Sequence, residues 1–215
     1  MTAVDLRGAV VLLGGFPALA GVDLSVERGD IVLVRGPNGA GKSTLLHLCA
    51  GLLRLSKGNG DVLGCDLGAD RAAVRRRVGL LGHDTALYGE LSAAENLQVW
   101  ARASRVGETD VPGALERLGL PPRLRDVPTD RLSAGQRRRV ALAAIVVRRP
   151  ELWLLDEPHA GLDSSGRQIV DSIVEAAAAA GAAVVLASHE SGPAGDLATR
   201  TVTMAGGALS EGMAQ

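Results

Sequence analysis

Apolar positions along the chain predict strands in the first 35 residues and a helix after them. The short β-like runs VVLL, VDLSV and IVLV lie between residues 4 and 35 and are separated by the glycine-containing turns GGFP and ERGD. From residue 36 the pattern changes to a glycine loop and then to KSTLLHLCAGLL, whose apolar residues cover one face of a helix before Gly51.

The second half of the chain continues this alternation. Residues 84–130 predict a mainly helical insert that ends in the proline-rich connection LPPRLRDVPTD. A helix is expected from about 134 to 148, followed by the buried strand LWLLD, a helix around 164–180 and the strand AVVLAS. Strands that alternate with helices predict an α/β fold with a parallel sheet covered on both faces. At 215 residues, one domain is the default expectation.

Composition and charge argue against a nucleic-acid partner. The chain has one Phe, one Tyr and two Trp, and its formal net charge is -1. Few aromatic side chains are available to stack on bases, and no excess of basic residues attracts a polyanion. Cys49 and Cys65 have neither C-x-x-C spacing nor matching histidines, which argues against a metal site or a disulfide and favours a reducing compartment.

The sequence predicts neither a signal peptide nor a membrane span. The first residues, MTAVDLRGAVVLL, lack a basic region followed by a long apolar core. The most apolar region, 172–188, contains Glu175 and is interrupted by Gly181, so it predicts a helix and then a buried strand. Action at a membrane therefore requires docking on a separate protein that spans it.

The stretch GPNGAGKS, residues 36–43, matches the phosphate-loop pattern G-x-x-x-x-G-K-[ST] between a predicted strand and a predicted helix. Its glycines let backbone amides face phosphate oxygens, and the helix N-terminus adds a favourable dipole. Lys42 is expected to reach the terminal phosphates and Ser43 to ligate Mg²⁺. Kinases, GTPases and transport ATPases all use such a loop, so other residues must choose among them.

A pair of carboxylates and a capped helix help to choose among these classes of protein. The strand LWLLD delivers Asp156 to the carboxyl edge of the sheet, where a carboxylate can hold the Mg²⁺ shell. Glu157 follows it and is placed to orient or deprotonate an attacking water. Upstream, RLSAGQRRRV predicts a helix with an S-x-x-Q capping box between Ser133 and Gln136.

In this order, GPNGAGKS, LSAGQRRRVALA, LWLLDEP, AGLD at 160–163 and LASH at 186–189 resemble the ATP-binding cassette (ABC) family across nearly the whole chain. The resemblance implies a P-loop NTPase with a RecA-like parallel sheet core, an N-terminal antiparallel β-subdomain and a helical signature subdomain. Within one domain spanning 1–215, the helical subdomain is expected at about 83–139. The β-subdomain and core are expected at about 1–82 and 140–215.

The resemblance also implies roles for individual residues. Glu157, His189 and Lys42 are the expected catalytic residues, and Ser43, His83 and Asp156 are expected at the metal. The residues expected to bind ATP lie in three loops. The Walker A loop contributes Gly36, Pro37, Asn38, Gly39, Ala40, Gly41, Lys42, Ser43 and Thr44. The signature loop, LSAGQ, contributes Ser133, Gly135 and Gln136, and the D-loop, AGLD, contributes Asp163.

The family mechanism places each ATP between two cassettes that meet head to tail. Each nucleotide lies between the Walker A loop of one chain and the signature loop of the other, so Ser133 serves its own helix and a neighbour's γ-phosphate. The implied partners are a second cassette, identical or different, and a transmembrane permease. The implied location is peripheral, on the cytoplasmic face of the cell membrane.

Departures from the common family pattern narrow the assignment. Ala134 stands where most members have glycine, and His83 stands where the Q-loop glutamine is expected. Leu13 occupies the position of the usual adenine-stacking aromatic residue, with Phe16 as a substitute, so base selectivity stays open.

With His83 and Ala134, the stretch VGLLGHDTALYGELSAAENL looks like the ATPase subunit of the haem exporters of cytochrome c maturation. A generic exporter cassette for a drug, lipid or ion is the main alternative. A soluble ABC ATPase acting on ribosomes or DNA and a P-loop kinase are further alternatives. Tyr88, the only tyrosine, is a candidate for docking a membrane partner.

Overall fold

The computed structural model describes residues 1–104, 110–189 and 197–211. Within these ranges the strands are β1 (Thr2–Leu13), β2 (Phe16–Glu27), β3 (Ile31–Arg35), β4 (Lys57–Val62), β5 (Cys65–Asp66), β6 (Val78–Leu81), β7 (Leu152–Asp156), β8 (Ala183–Ser188), β9 (Arg200–Ala205) and β10 (Ala208–Glu211). The α-helices are α1 (Lys42–Cys49), α2 (Arg71–Arg77), α3 (Ala93–Ala103), α4 (Val111–Arg117), α5 (Ala134–Arg148) and α6 (Ser164–Ala179).

The strands form two sheets. One has six strands in the order β10-β9-β3-β8-β7-β6, and the pairs from β9 to β6 are parallel. The other is an antiparallel sheet in the order β2-β1-β4-β5. This confirms the predicted α/β fold, with a parallel core and an N-terminal antiparallel β-subdomain.

The six-stranded sheet lies between two hydrophobic cores. Its central strands β3, β8 and β7 are buried on both faces, as expected for parallel strands covered on each side, whereas the edge strand pair β9 and β10 has exposed residues. In β7, for example, Leu154 packs into a core shared with the antiparallel sheet and α1. Its neighbours Trp153 and Leu155 pack on the opposite face, against α3 to α6. The middle of β7 is therefore wholly structural, and only its ends are available for polar chemistry.

The first 35 residues form longer strands than the short apolar runs indicated. β1 and β2 each have 12 residues and pair across a turn at Gly14 and Gly15. Register shifts along the pair accommodate Gly8 and Gly21, both with positive φ, inside strands that otherwise continue. These glycines interrupt the apolar pattern of the sequence, but the hydrogen-bonded pairing of β1 with β2 continues past them.

The helical insert and the core share one helix. α3 begins with a capping box between Ser92 and Glu95, and Arg148 near the end of α5 lies 5.4 Å over the Trp100 ring of α3. α5 runs without interruption through residue 139, where the sequence placed the end of the helical subdomain. None of the helices in the described ranges has both the length and the apolar composition of a membrane span.

Candidate functional site

Most of the predicted site residues lie at one edge of the parallel sheet. The Walker A loop follows β3, Asp156 ends β7, and His189 follows β8, which pairs between those two strands. Because parallel strands present their carboxyl ends at the same edge, these residues meet although they are far apart in sequence. The sheet topology therefore assembles a single site.

Close approach by two strands explains two glycines of the loop. A Cβ added at Gly36 would lie 2.2 Å from the carbonyl oxygen of Met204 in β9. A Cβ at Gly41 would lie 2.7 Å from the carbonyl oxygen of Ala18 in β2, and Gly41 has a left-handed φ of 109°. The tip between them, Pro37–Gly39, is exposed. The loop is thus fixed at its ends and open where a phosphate would enter.

Lys42 is buried, with 7% exposure, and its ammonium group lies in the mouth of the loop. Its Nζ donates to the carbonyl oxygens of Gly36 at 2.6 Å and Pro37 at 3.0 Å. Helix α1 begins at Lys42 with no side-chain cap and no acidic residue in its first turn. Its N-terminal amides and the ammonium group therefore suit an anion such as a phosphate.

Ser43 and Asp156 lie together below this mouth. Ser43 Oγ donates to Asp156 Oδ2 at 2.6 Å, and Asp156 is 7% exposed. Two hard oxygen donors this close fit Mg²⁺, which prefers oxygen ligands and keeps water and phosphate in its remaining positions. Over the described ranges, no group of three or more His, Cys, Asp or Glu side chains is arranged to hold a metal by itself.

Glu157 and His189 form a direct pair. The Glu157 carboxylate accepts hydrogen bonds from the His189 backbone N–H at 2.8 Å and from Ser188 Oγ at 3.1 Å. The ring Nδ1 of His189 lies 2.6 Å from Glu157 Oε1. Two of the expected catalytic residues, Glu157 and His189, thus stand side by side.

The backbone of Glu157 adopts an unfavourable conformation. Its φ is 47°, in the left-handed region, and Pro158 follows it. A side-chain-bearing residue held there costs on the order of 1–3 kcal/mol, so the surroundings must hold it in place. One restraint is the Glu157 N–H, which donates to the carbonyl oxygen of Ala187 at 2.9 Å.

Arg138 is a site residue that the sequence analysis did not identify. It is 6% exposed, and its guanidinium donates to the carbonyl oxygens of Asp156 and, at 3.3 Å, Pro158. Burial lowers the pKa of Arg138, and the negative charges of Asp156 and Glu157 oppose that change. The available signal was its place in α5, on the same face as Ala141 and Leu142.

The signature loop begins α5 as the sequence indicated. The Gln136 N–H donates to Ser133 Oγ at 3.2 Å and the Ser133 N–H to Gln136 Oε1 at 2.9 Å, which completes the predicted capping box. A Cβ at Gly135 would lie 2.7 Å from the carbonyl oxygen of Gly161, so this end of α5 touches the D-loop. Ala134 has a negative φ and accepts a side chain without strain.

The D-loop leads from Glu157 to α6. Asp163 caps that helix by accepting the Gly166 N–H at 2.8 Å, and it is exposed. Further back, His159 Nε2 lies 2.7 Å from Asp171 Oδ1 of α6. The loop is therefore tied to α6 at two points.

The remaining expected residues lie at the margins of this edge. His83 is exposed and follows β6, the strand next to β7; its role at a metal stays a prediction. Leu13 and Phe16, 46% and 78% exposed, pair at the end of the β1–β2 hairpin. Ala18, two residues beyond Phe16, lies against Gly41, so an exposed apolar platform stands beside the Walker A loop.

The structure brings together the Walker A loop, Asp156, Glu157 and His189. Ser133 and Gln136 instead bond to each other at the start of α5, and Ser133 is an exposed residue. A single copy therefore offers two surfaces, a phosphate loop with its carboxylates and a separate capped helix end.

Comparison with known proteins gives consistent results. The ABC transporter family model matches residues 19–160. The cytochrome c biogenesis ATP-binding export protein CcmA of Bordetella bronchiseptica is 40% identical over 185 residues, which cover 85% of this chain and 82% of that protein. The daunorubicin resistance ATP-binding protein DrrA3 of Streptomyces coeruleorubidus is 39% identical over 218 residues, 99% of this chain and 69% of that protein.

Solved structures resemble this fold closely. One described as the ATP-binding subunit of an ABC transporter has a TM-score of 0.89 at 25% identity, covering 98% of this chain and 90% of that chain. A dimeric, post-hydrolysis ATP-binding cassette bound to ADP and Pi has a TM-score of 0.88 at 23% identity, covering 97% and 98%. The family resemblance inferred from the motifs is confirmed.

Proposed function

The chain belongs to the ABC transporter family and is an ATP-hydrolysing subunit of it, and from this premise we propose that it powers export through a separate membrane subunit. The transported class we propose is haem, in cytochrome c maturation. The observation that carries the ATPase assignment is the contact between Ser43 and Asp156, 2.6 Å apart, with Glu157 next in the chain.

We propose that nucleotide enters at the open tip of the Walker A loop. Lys42 exchanges its two loop carbonyls for the terminal phosphates, and the first amides of α1 donate to the other phosphate oxygens. Ser43 and Asp156 hold Mg²⁺, which when bound neutralises charge on the phosphates. The apolar platform of Leu13 and Phe16 accepts one face of the base.

Hydrolysis then requires a positioned water. Glu157 accepts a proton from that water as the water oxygen attacks the γ-phosphorus and the bond from phosphorus to the β-phosphate oxygen breaks, which releases ADP and phosphate. Hydrogen bonds from Ser188 and the His189 N–H hold the carboxylate in position. His189 turns from Glu157 to the γ-phosphate when the nucleotide is bound. These roles assign the paired side chains of the sheet edge to general base and phosphate contact.

A second cassette completes the site. The exposed Ser133 hydroxyl and the N-terminus of α5 are suited to donate to a phosphate brought by another copy. Replacing Ser133 by Arg should abolish ATP hydrolysis, because the larger cation blocks that face, while nucleotide binding to the Walker A loop is retained. Phosphate release and fluorescent-nucleotide binding measure the two. Full hydrolysis by the variant would favour a P-loop kinase or another single-chain mechanism.

Two sets of relatives support different cargoes. The CcmA relatives, with identities near 40%, support haem export, as do the sequence departures His83 and Ala134. The drug-resistance relative aligns over 99% of this chain, which supports a drug exporter as the second candidate. We favour haem export because several CcmA proteins match over most of their own length. The location we propose is peripheral, on the cytoplasmic face of the cell membrane.

Depletion in the native host separates the two cargoes. If the chain serves haem export, depletion should remove covalently haem-stained c-type cytochromes, and the wild-type gene but not Glu157→Gln should restore them. Normal c-type cytochromes with new sensitivity to daunorubicin would identify a drug exporter instead.

A separate experiment concerns the membrane partner. Membrane subunits that copurify with the chain would identify the permease. The variant Tyr88→Ala, at a side chain that is 55% exposed, tests whether this residue docks the permease.

A further inference from the structure

The strained Glu157 residue is held by contacts on the peptide before it and on the carbonyl group of the next residue, Pro158. In the peptide before it, the Glu157 N–H donates to Ala187 of β8, and the carbonyl oxygen of Asp156 accepts from Arg138. On the following side, the carbonyl oxygen of Pro158 accepts from Arg138 as well. One guanidinium thus bridges the carbonyl groups on either side of the residue with φ of 47°.

The hydrogen bonds of this bridge do not involve the Glu157 carboxylate. The hydrogen bonds of Arg138 go to carbonyl oxygens, whereas the Glu157 carboxylate accepts from Ser188 and His189. Arg138 nevertheless lies close enough for the charges of Asp156 and Glu157 to act on it. The cation therefore contacts the backbone around Glu157 and leaves the carboxylate oxygens to the hydrogen bonds from Ser188 and His189.

We propose that Arg138 is a positioning residue that keeps Glu157 in its left-handed conformation and so aims the carboxylate at the attacking water. The proposal deepens, and rests on, the proposed ATPase function. Left-handed backbone at a residue followed by proline persists only where the surroundings enforce it. Of the contacts described above, the bridge from Arg138 is the one that grips both sides of Glu157.

The bridge also connects the two surfaces of the cassette. Arg138 lies one turn into α5, the helix that begins at the Ser133 capping box. Gly135 of the same turn touches Gly161 of the D-loop. A shift of α5 when a second cassette binds at Ser133 would thus move the Glu157 backbone directly. Arg138 thereby links assembly of the dimer to alignment of the base.

The test compares two arginines of α5 in the full chain. Arg138→Met removes both donors and keeps an apolar stem of similar length. The matched control is Arg148→Met. Like Arg138, Arg148 has a pKa that burial lowers. Its guanidinium also donates two hydrogen bonds, to Ser104 Oγ and to the Val78 carbonyl oxygen. The measurements are kcat and KM for ATP, fluorescent-nucleotide affinity and the melting temperature of each variant.

We expect Arg138→Met to lower kcat by about 10- to 100-fold, the cost of misplacing a catalytic group by about an ångström. The KM for ATP should change less than about twofold, because the hydrogen bonds of Arg138 within the described residues go to Asp156 and Pro158 and not to the Walker A loop. Arg148→Met should lose stability but keep kcat. Arg138→Lys should recover part of kcat, since one ammonium group can reach only part of the bridge.

Each result decides the matter. An Arg138→Met kcat equal to that of Arg148→Met overturns the positioning role and leaves the proposed function intact. Absence of hydrolysis in the wild-type chain, with its partners present, contradicts the proposed function itself and the inference with it. If Arg138→Met does not fold, Arg138→Lys and Arg148→Lys give the same comparison, and equal kcat values again count against the bridge.

Discussion

The two ends of strand β7 carry carboxylates that the fold treats in opposite ways. Glu151, just before the strand, is bound by Arg28 and by Arg77, whose Nε lies 2.5 Å from Glu151 Oε1. Glu157, just after the strand, is bound by a serine hydroxyl, a backbone N–H and a histidine. Six residues apart in one chain segment, the first carboxylate is paired with two arginines, whereas the contacts of the second within the described residues are a hydroxyl, a backbone N–H and a histidine ring.

The arginine pairs of Glu151 lower its pKa, whereas Glu157 is distinguished by its backbone conformation. The hydrogen bond from Arg77, with that from Arg28, lowers the pKa of Glu151 to about 2. A carboxylate so strongly stabilised as the anion is a poor proton acceptor, because its conjugate acid is too strong. The carboxylate of Glu157 is hydrogen-bonded by Ser188 and His189, and the backbone of Glu157 has a strained φ of 47°. Acidic residues at a strand end are therefore functional or structural according to what the neighbouring elements present to them.

The largest effect expected from breaking this contrast is at Glu157. Glu157→Gln keeps the shape of the side chain but removes the base, so ATP hydrolysis should fall by about 10²- to 10⁴-fold. ATP binding should persist, and the variant should accumulate as an ATP-bound dimer with twice the monomer mass. Phosphate release and size-exclusion chromatography with light scattering measure the two.

The matched control is Glu151→Gln, the same chemical change at the other end of β7. It should retain kcat within about twofold of wild type, because the hydrogen bonds of the Glu151 side chain in the described part of the chain go to Arg28 and Arg77, before β3 and β6, at the opposite edge of the sheet. Comparable loss of hydrolysis in both variants would mean that the contrast between the two ends has no catalytic meaning.

A smaller effect is expected from Glu151→Gln on stability. The Glu151 side chain is 36% exposed, so solvent screens its ion pairs and the loss at pH 7 should be only about 1 kcal/mol. Urea denaturation of wild type and variant measures the difference. No change in the midpoint would show that the two arginines are equally well satisfied by water.

The pH dependence of that difference is the finest test. The folded pKa of Glu151 lies below its ordinary value of 4.5, at about 2. Its stabilising contribution is therefore complete above about pH 4.5 and disappears as the pH falls through about 2. The stability gap between wild type and Glu151→Gln should narrow over that interval in acid titrations. A gap that stayed constant to pH 2 would contradict a lowered pKa.

Much of the site was predictable because its motifs are local in sequence. GPNGAGKS specifies a glycine loop before a helix, and Ser133 and Gln136 cap α5 through bonds only three residues apart. The apolar run before Asp156 predicted both the strand and the position of the acid at its end. Each of these features depends on backbone geometry within a few residues, which a linear pattern records.

Other features depended on contacts between distant segments. The helical pattern places Arg138 on the same face of α5 as Ala141 and Leu142, but nothing local indicates that its partner is Asp156, 18 residues later. Likewise, Glu151 meets Arg28 across 123 residues only after the sheet has formed. The length of β1 and β2 was underestimated since pairing continues past glycines that interrupt the apolar pattern.

The sequence by itself determined the alternation of strands and helices around the phosphate loop and after residue 133, the cap of α5 and the family to which the chain belongs, but not the strands β4, β5, β6, β9 and β10 or the helix α2. Periodicity, capping and loop chemistry act over a few residues, so they can be read along the chain. Only the tertiary structure decided which of the two glutamates that flank β7 is paired with arginines and which lies in the candidate active site. Those choices arise when the parallel strands bring remote side chains to a common edge, and no local pattern encodes that meeting.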